Sequence, residues 1–462
     1  MLGACTAPVL AADPSPSASP TAAPSGSPTA EPSASPDPSP TASPSSTASP
    51  SPATAWPTTV TALGSTVRFY GRGYGHGVGL NQYGARGRAL GGQTAEQILA
   101  AYFRGATLST TDAARPVRVL LMAGYRASST SPLIVYGRNG TWAVSGWDKV
   151  LPAGARLLAW STTSTTNGVS TTTWRAKVLG ADGVTVLHAA VLAGRPVVSG
   201  VEPATVLQLL SKPSVYDTYR GTLTLGLGTS SLSVVNTLGL DAYLRGVVPV
   251  EMPSTWPAEA LRAQAITARS YAVRHLHPTT GSFDVYDDTR SQVYRGLEAE
   301  VAAANAVIDA APGSVLMYGS SVVNAVFSST GGGATESNEY AFVGSGGKVG
   351  SPVAYLRGIV DRSDTGVAWD AAAPRYAWSS STLTLAQLSA MFKADSRTNV
   401  GALQKLDLRR RGVSGRLYAV VLYGSAGVKT VSANVFRSVY NARRPAGTRP
   451  LYSNLFDSRP LP

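Results

Sequence analysis

Residues 249–277, reading PVEMPSTWPAEALRAQAITARSYAVRHLH, constrain this chain more than any other stretch. Ala260, Ala263, Ala265, Ala268 and Ala272 favour a helix and leave it no wide polar stripe. A helix without a polar face has to be covered by other parts of the chain, so the fold must be built around it. Pro257 suits the first helical position, where its missing N–H costs nothing. Glu259 then falls in the first turn, where the helix dipole favours a negative charge. Gln264 and Arg269 interrupt the apolar surface and need buried partners. Just ahead of the helix, Glu251 stands between the apolar run from Tyr243 to Val250 and a Met-Pro turn. The expected fold class is α+β, with β-rich mixed domains packed around a buried central helix at about 257–276 and a carboxylate at its mouth. Glu251 and Glu259 are both candidate acids on these grounds.

The flanking sequence reads as strands. Within 115–236, VRVLLMAG, PLIVYG, TWAVSG, ARLLAWS, TTTWRAKVL, VTVLHAA, GTLTLGL and SLSVVNTL are separated by Gly, Asn, Asp and Pro turns. Val206 to Leu210 fits either a strand or a short helix. His188 lies in one of these strands with no ligand candidates nearby and reads as structural. A glycine-rich block, 67–106, contains RFYGRGYGHGVGLNQYGARGRAL and then a short helix, Ala95 to Tyr102. If extended, its period of two puts Gly71, Gly73, Gly75, Gly77 and Gly79 on one bare face. Arg72, Tyr74 and His76 then lie on the other. Such a face suits either close internal packing or a groove. The core segment, 237–457, adds a helix from Glu298 to Ala311 stopped by Pro312-Gly313. It also holds a strand entering a Ser/Thr/Gly loop at 325–337 and a β-rich end. No G-x-S-x-G surrounds Ser328 and Ser329, so a nucleophile reading of them is weak. His275 and His277 lack a third metal ligand in their vicinity and read as exposed residues at a helix end.

With 462 residues the chain has room for two or three domains. Its formal charge of +13 points to an anionic partner. No zinc spacing, basic helix or RNA-binding aromatic pattern accompanies that charge, which excludes a nucleic-acid module. Residues 13–56 are almost wholly Pro, Ser, Ala and Thr and cannot bury enough apolar surface to fold. As a semi-rigid tether at about 3.1 Å per residue they reach on the order of 100 Å. The single cysteine, Cys5, excludes an intrachain disulfide. Its setting within 1–12, Leu2-Gly3-Ala4-Cys5, matches the end of a bacterial lipoprotein signal lacking its charged and apolar regions. Lipidated Cys5 would anchor the chain to a membrane; a chance cysteine is the alternative. No run is long and apolar enough to span a bilayer.

Several blocks together resemble the bacterial stage II sporulation protein D / amidase enhancer family. YLRGVVPVEMPSTWPAEALRAQAITARSYAV (243–273) resembles its central signature. TRSQVYRG (289–296), FSSTGGGATES (327–337) and AYLRGIVDRSD (354–364) resemble its following blocks in order. RRGVSGRLYAVVLYG (410–424) and NVFRSVY (434–440) resemble its C-terminal strands. The glycine block usually follows those strands, whereas here it comes first, and SNLFD (453–457) resembles the piece that leads into it. The chain therefore reads as circularly permuted, with Val67 close to Phe456 in space and the glycine block folded back to the central helix. The cysteines of some zinc-binding relatives are replaced by Asp and Ser types, so no metal is carried over, and no cofactor is expected.

The resemblance implies lytic transglycosylation of peptidoglycan glycan strands, especially peptide-stripped ones, giving 1,6-anhydromuramyl ends. Glu251 matches the family's catalytic acid; the helix start accounts for Glu259. Val248, Val250 and Trp256 are expected to desolvate Glu251 and raise its pKa. Substrate contacts are nominated at His76, Gln82, Gln264, Arg269, Gln292, Tyr294, Ser328, Ser329 and Thr335, with fold-stabilising hydrogen bonds as the alternative for each. The second reading is a non-catalytic glycan-binding enhancer of a cell-wall amidase. Either places the protein outside the cytoplasm, in the wall or anchored at the cell surface.

Overall fold

The computed structural model describes residues 56, 58–277 and 279–461. Cys5 and the Pro/Ser/Ala/Thr-rich segment, apart from Trp56, lie outside the described residues. The central helix is Ala258–Arg274. It starts one residue later than the proline suggests. Pro257 has φ −53° and ψ 140°, an extended conformation that makes it the cap rather than the first helical residue. From Ala260 to Val273 every residue but Arg262 is buried. Three apolar clusters share it. Ala265, Ala268 and Ala272 face one, Ala263, Ile266 and Tyr271 a second, and Ala260 with Leu261 a small third around Met252. Alanine at these contacts lets each neighbour approach the helix axis closely.

The first cluster is the interior of the strand-rich region. Two sheets enclose it. One runs in the order Val285–Tyr286, Pro116–Tyr125, Leu232–Gly239, Thr222–Leu227, Val197–Gly200, Trp142–Val144, Val150–Leu151. The other runs Val186–Leu192, Val169–Leu179, Arg156–Thr166, Leu133–Arg138, Val206–Leu209, Thr218–Tyr219. The ambiguous Val206 segment is thus a strand. Val285 pairs in parallel with Val119, which ties the loop after the central helix to the sheet edge and fixes where residues 287–295 emerge.

A further unit joins the two ends of the described chain. Its four-stranded sheet is Thr61–Ala62, Leu403–Asp407, Ala419–Gly424, Gly427–Ser432. NVFRSVY is not a strand: it lies in the helix Ala433–Arg443. Ser432 caps that helix by accepting from the Val435 N–H at 3.2 Å, and Phe436, Val439 and Tyr440 form its buried i, i+3, i+4 face. Tyr70–Arg72 pairs antiparallel with Phe456–Asp457, and the Phe69 and Phe456 ring centroids are 5.3 Å apart. This is the proximity that a permuted order requires. The expected helix from Glu298 to Ala311 is broken into a 3₁₀ turn, Leu297–Ala299, and the helix Ala302–Asp309, because Val301 adopts an extended conformation between them.

The glycine block is not one extended strand either. Within 68–90 the strands among the described residues are Tyr70–Arg72 and Leu80–Asn81. Gly73, Gly75, Gly77 and Gly79 have φ of 75°, 101°, 77° and 69°, a region that L side chains rarely enter. The glycines do not share one face: Gly73, Gly75 and Gly79 press onto residues 326–331, whereas Gly71 meets the Trp378 ring and Gly77 the Arg416 guanidinium. A Cβ at Gly79 would lie 2.1 Å from the Val326 carbonyl oxygen, and one at Gly75 would lie 2.8 Å from Ser328 Cβ.

Candidate active site

Glu251 is the last residue of the one-turn helix Val248–Glu251; Met252 then turns extended and buries its side chain completely. Two amides hold this corner. Gln82, which opens the helix Gln82–Leu90, donates from Nε2 to the Glu251 carbonyl oxygen at 2.9 Å and to Gln264 Oε1 at 3.4 Å. Gln264 belongs to the central helix and is fully buried. The Glu251 side chain points the other way, where its Oε1 accepts from the Val293 N–H at 2.9 Å.

That carboxyl lies in a cleft of about 320 Å³, its open mouth included, lined by His76, Tyr271, Thr289, Ser291, Val326 and Phe327 as well. Among the described residues Glu251 is the only carboxylate in this lining. Burial raises its pKa from 4.5 to about 7, against the opposing pull of the Val293 N–H and of Arg295. Val326 and Phe327 supply the apolar wall. Trp256, expected to do so, packs instead on Tyr83 at 4.7 Å, with Arg86 over its ring. His76 is shifted the other way. Burial and the Arg416 charge lower its pKa to about 4, so it is neutral at pH 7. Its Nδ1 accepts from the Val78 N–H at 3.0 Å, which places the ring proton on Nε2. A neutral imidazole leaves the raised pKa of Glu251 uncompensated.

Of the other nominated residues, some approach this corner and some do not. Gln292 precedes the Val293 amide that binds Glu251; its own side chain accepts from Tyr243 Oη at 3.2 Å and donates to the Ala268 carbonyl at 3.3 Å. Ser328 Oγ accepts from the Gly77 N–H at 3.1 Å, and the Ser329 carbonyl accepts from the Tyr83 N–H at 3.0 Å. These two join the loop at 325–337 to the glycine block behind His76. Arg269, Tyr294 and Thr335 are turned inward. Arg269, fully buried, donates to Asp241 at 2.7 Å and to the Ser314 carbonyl at 3.0 Å. Tyr294 donates to Asn236 at 2.9 Å, and Thr335 accepts from the Ile359 N–H at 2.9 Å. Glu259 accepts from the Ala95 N–H at 2.6 Å, so it satisfies the start of the neighbouring helix Ala95–Tyr102 rather than its own.

The loop's amides and hydroxyls are largely used within the fold. Asp370 accepts from Thr330 Oγ1, the Gly332 and Gly333 N–H groups and Asn81 Nδ2. Asp361 accepts from Arg88, Tyr102 and the same Asn81 amide. These two fully buried carboxylates clamp the loop to the glycine block. The lining residues not nominated from sequence are Tyr271, Thr289, Ser291, Val326 and Phe327. Thr289 and Ser291 lie in the same block as Gln292, and Tyr271 is the large polar ring of an alanine-rich helix, so all three carried a signal. Val326 and Phe327 read only as an apolar strand entry.

A family model described as stage II sporulation protein matches residues 228–318, which contain Glu251, the central helix and Val293. The amidase enhancer of Bacillus subtilis is 31% identical over 160 residues, 35% of this chain and 21% of that protein. Stage II sporulation protein D of Bacillus subtilis is 28% identical over 193 residues, 38% of this chain and 52% of that protein. An uncharacterized protein of Brachyspira hyodysenteriae is 36% identical over 143 residues, 30% of this chain and 37% of its own length. The matched segment thus spans about half or less of each of these relatives. Together with the motif blocks, these matches show that the segment holding Glu251, the central helix and Val293 is similar to the stage II sporulation protein D / amidase enhancer family.

Proposed function

We propose that this protein is a peptidoglycan lytic transglycosylase with Glu251 as its single general acid and base. One observation carries the reading: a lone carboxyl group at the base of a cleft, with its pKa raised to about 7. Such a group is protonated in a large fraction of molecules near neutral pH, as a proton donor to a glycosidic oxygen must be. Hydrolysis by the usual glycosidase routes needs a second carboxylate, to activate water or to act as nucleophile. Lytic cleavage does not. Glu251 gives its proton to the leaving oxygen; the resulting carboxylate then takes the proton of the muramyl C6 hydroxyl as that oxygen attacks C1. The bond to the leaving sugar breaks, a 1,6-anhydro ring forms, and the acid is regenerated without water being consumed. The Gln82 and Gln264 amides hold the backbone of Glu251, and the Val293 N–H orients the carboxylate. The basic charge of the chain suits an acidic wall polymer.

A second reading follows from the relative named amidase enhancer: the same cleft binds glycan without cutting it and stimulates a separate cell-wall amidase. Purified protein on peptide-free glycan strands separates the two. The catalytic reading expects anhydromuramyl ends, with release slowed about 10²-fold or more in Glu251→Gln. No ends from the parent, together with faster turnover by an added amidase, would establish the enhancer instead. Location outside the cytoplasm, in the wall or at the cell surface, goes with either reading.

A further inference from the structure

We propose that the glycine block carries, beside the cleft, a platform for an acidic sugar strand. It runs on from the cleft through Tyr74 and Tyr452 and is flanked by Arg72, Arg375 and Arg437. The sugar identity rests on the reading above; the platform itself rests on geometry. His76 lines the cleft, and Tyr74 and Arg72 follow it at alternate, half-buried positions while the glycines between them are buried. Tyr74 meets Tyr452 edge to face at 5.5 Å, and Trp378 meets Tyr452 at 5.6 Å. Arg375 lies over the Tyr452 ring at 4.7 Å, and Arg72 over Tyr376 at 5.9 Å.

The charges on this surface are not matched by carboxylates. Most of the buried or half-buried arginines elsewhere bond to carboxylates, as Arg88 does to Asp361 and Arg269 to Asp241. Among the described residues Arg72, Arg375 and Arg437 form no ion pair. Arg437 makes one hydrogen bond among the described residues, a long one of 3.5 Å from Nη1 to the Tyr452 carbonyl, although a guanidinium carries five N–H donors. Burial, with the Arg416 charge behind it, lowers the Arg437 pKa to about 10, so it stays charged at neutral pH. A half-buried, charged and under-bonded guanidinium beside sugar-sized ring faces calls for an anion with a flat, two-oxygen acceptor. A carboxylate on a sugar ring supplies both the acceptor and an apolar face for Tyr74 or Tyr452. Rings interleaved with arginines also suit single-stranded nucleic acid; continuity with a cleft built around one general acid favours the sugar.

The test measures binding by the full chain carrying Glu251→Gln, so that turnover does not interfere. Three probes are used: peptide-free glycan strands, the same strands with their carboxylates amidated, and an oligothymidylate. Intact strands are expected to bind about tenfold more tightly than amidated ones. Adding Arg375→Ala and Arg437→Gln is expected to remove about that factor for intact strands and to leave amidated strands unaffected. Arg375→Ala alone, at an exposed position, should lose about threefold and covers the case in which the Arg437 change impairs folding. Equal binding of intact and amidated strands, indifference to the arginine changes, or tighter binding of the oligothymidylate would overturn the platform. Binding through these arginines by a protein that releases no anhydro ends would leave the platform standing and remove the catalytic reading. Release of ends with binding indifferent to them would do the reverse.

Discussion

A carboxyl group held at a pKa near 7 inside a folded protein costs stability at neutral pH. Unfolded, Glu251 loses its proton around 4.5; folded, it keeps it until about 7. Below 4.5 both states are protonated and the group is neutral in its effect. Between 4.5 and 7 the folded state binds more protons, so its contribution falls as pH rises, and above 7 the full penalty persists. The interval corresponds to roughly 3 kcal/mol at most. His76 acts in the opposite sense. Its pKa falls from 6.5 to about 4 on folding, so it destabilises as pH drops through that range. The Glu251 effect is therefore read as variant against parent at each pH. Glu251→Gln is expected to stabilise by about 1–3 kcal/mol at pH 8 and by almost nothing at pH 4, measured by denaturant unfolding. A loss of stability at pH 8 would contradict the buried-acid account. Although Glu259 was an equal candidate on the same grounds, the place of Glu251 at the mouth of the helix was legible from sequence because it precedes a helix with no polar face. Its amide clamp was half legible, since Gln82 and Gln264 lie 182 positions apart and nothing local says that they meet.

At the scale of elements, the glycine block and the loop at 325–337 form one object. Their backbones approach so closely that only glycine fits on the contact side. Gly79 has φ 69° and no room for a Cβ, whereas Gly92 has φ 85° and open space. Gly79→Ala is thus expected to cost about 2–4 kcal/mol, backbone strain plus collision, against about 1 kcal/mol for Gly92→Ala. Equal costs in chemical denaturation would mean that the packing against Val326 matters little. The alternation of glycines revealed that the block packs closely, because absence of side chains marks a close approach in any conformation; it did not reveal that Gly71 and Gly77 meet Trp378 and Arg416 while the others meet the loop. It did not reveal the positive φ angles, which depend on the loop that the block packs against. The helix Ala433–Arg443 shows the opposite case. Its cap, Ser432, and its Phe436, Val439 and Tyr440 spacing were readable locally, while the resemblance of NVFRSVY to strands pointed elsewhere.

Across the whole molecule, the central helix explains why distant segments converge on one acid. Its apolar surface joins the strand-rich interior, the cluster beneath the glycine block and the small cluster at Met252. Removing any one of them would expose alanine-lined backbone that has no polar face to turn outward. That convergence was legible in outline, because a helix apolar all round must be surrounded. The strand order of the two sheets was not, because alternation fixes which face a residue takes and says nothing about which strand lies beside it. The same convergence leaves one carboxylate in a compact cleft, the feature on which the proposed lytic cleavage rests. Peptide-free glycan strands digested by the full chain in ¹⁸O-enriched water, with the new ends weighed by mass spectrometry, test this most directly. The single-acid account predicts 1,6-anhydro ends that carry no ¹⁸O, because the C6 hydroxyl and not water closes the reaction. Reducing ends labelled with ¹⁸O, or no new ends at all, would contradict it.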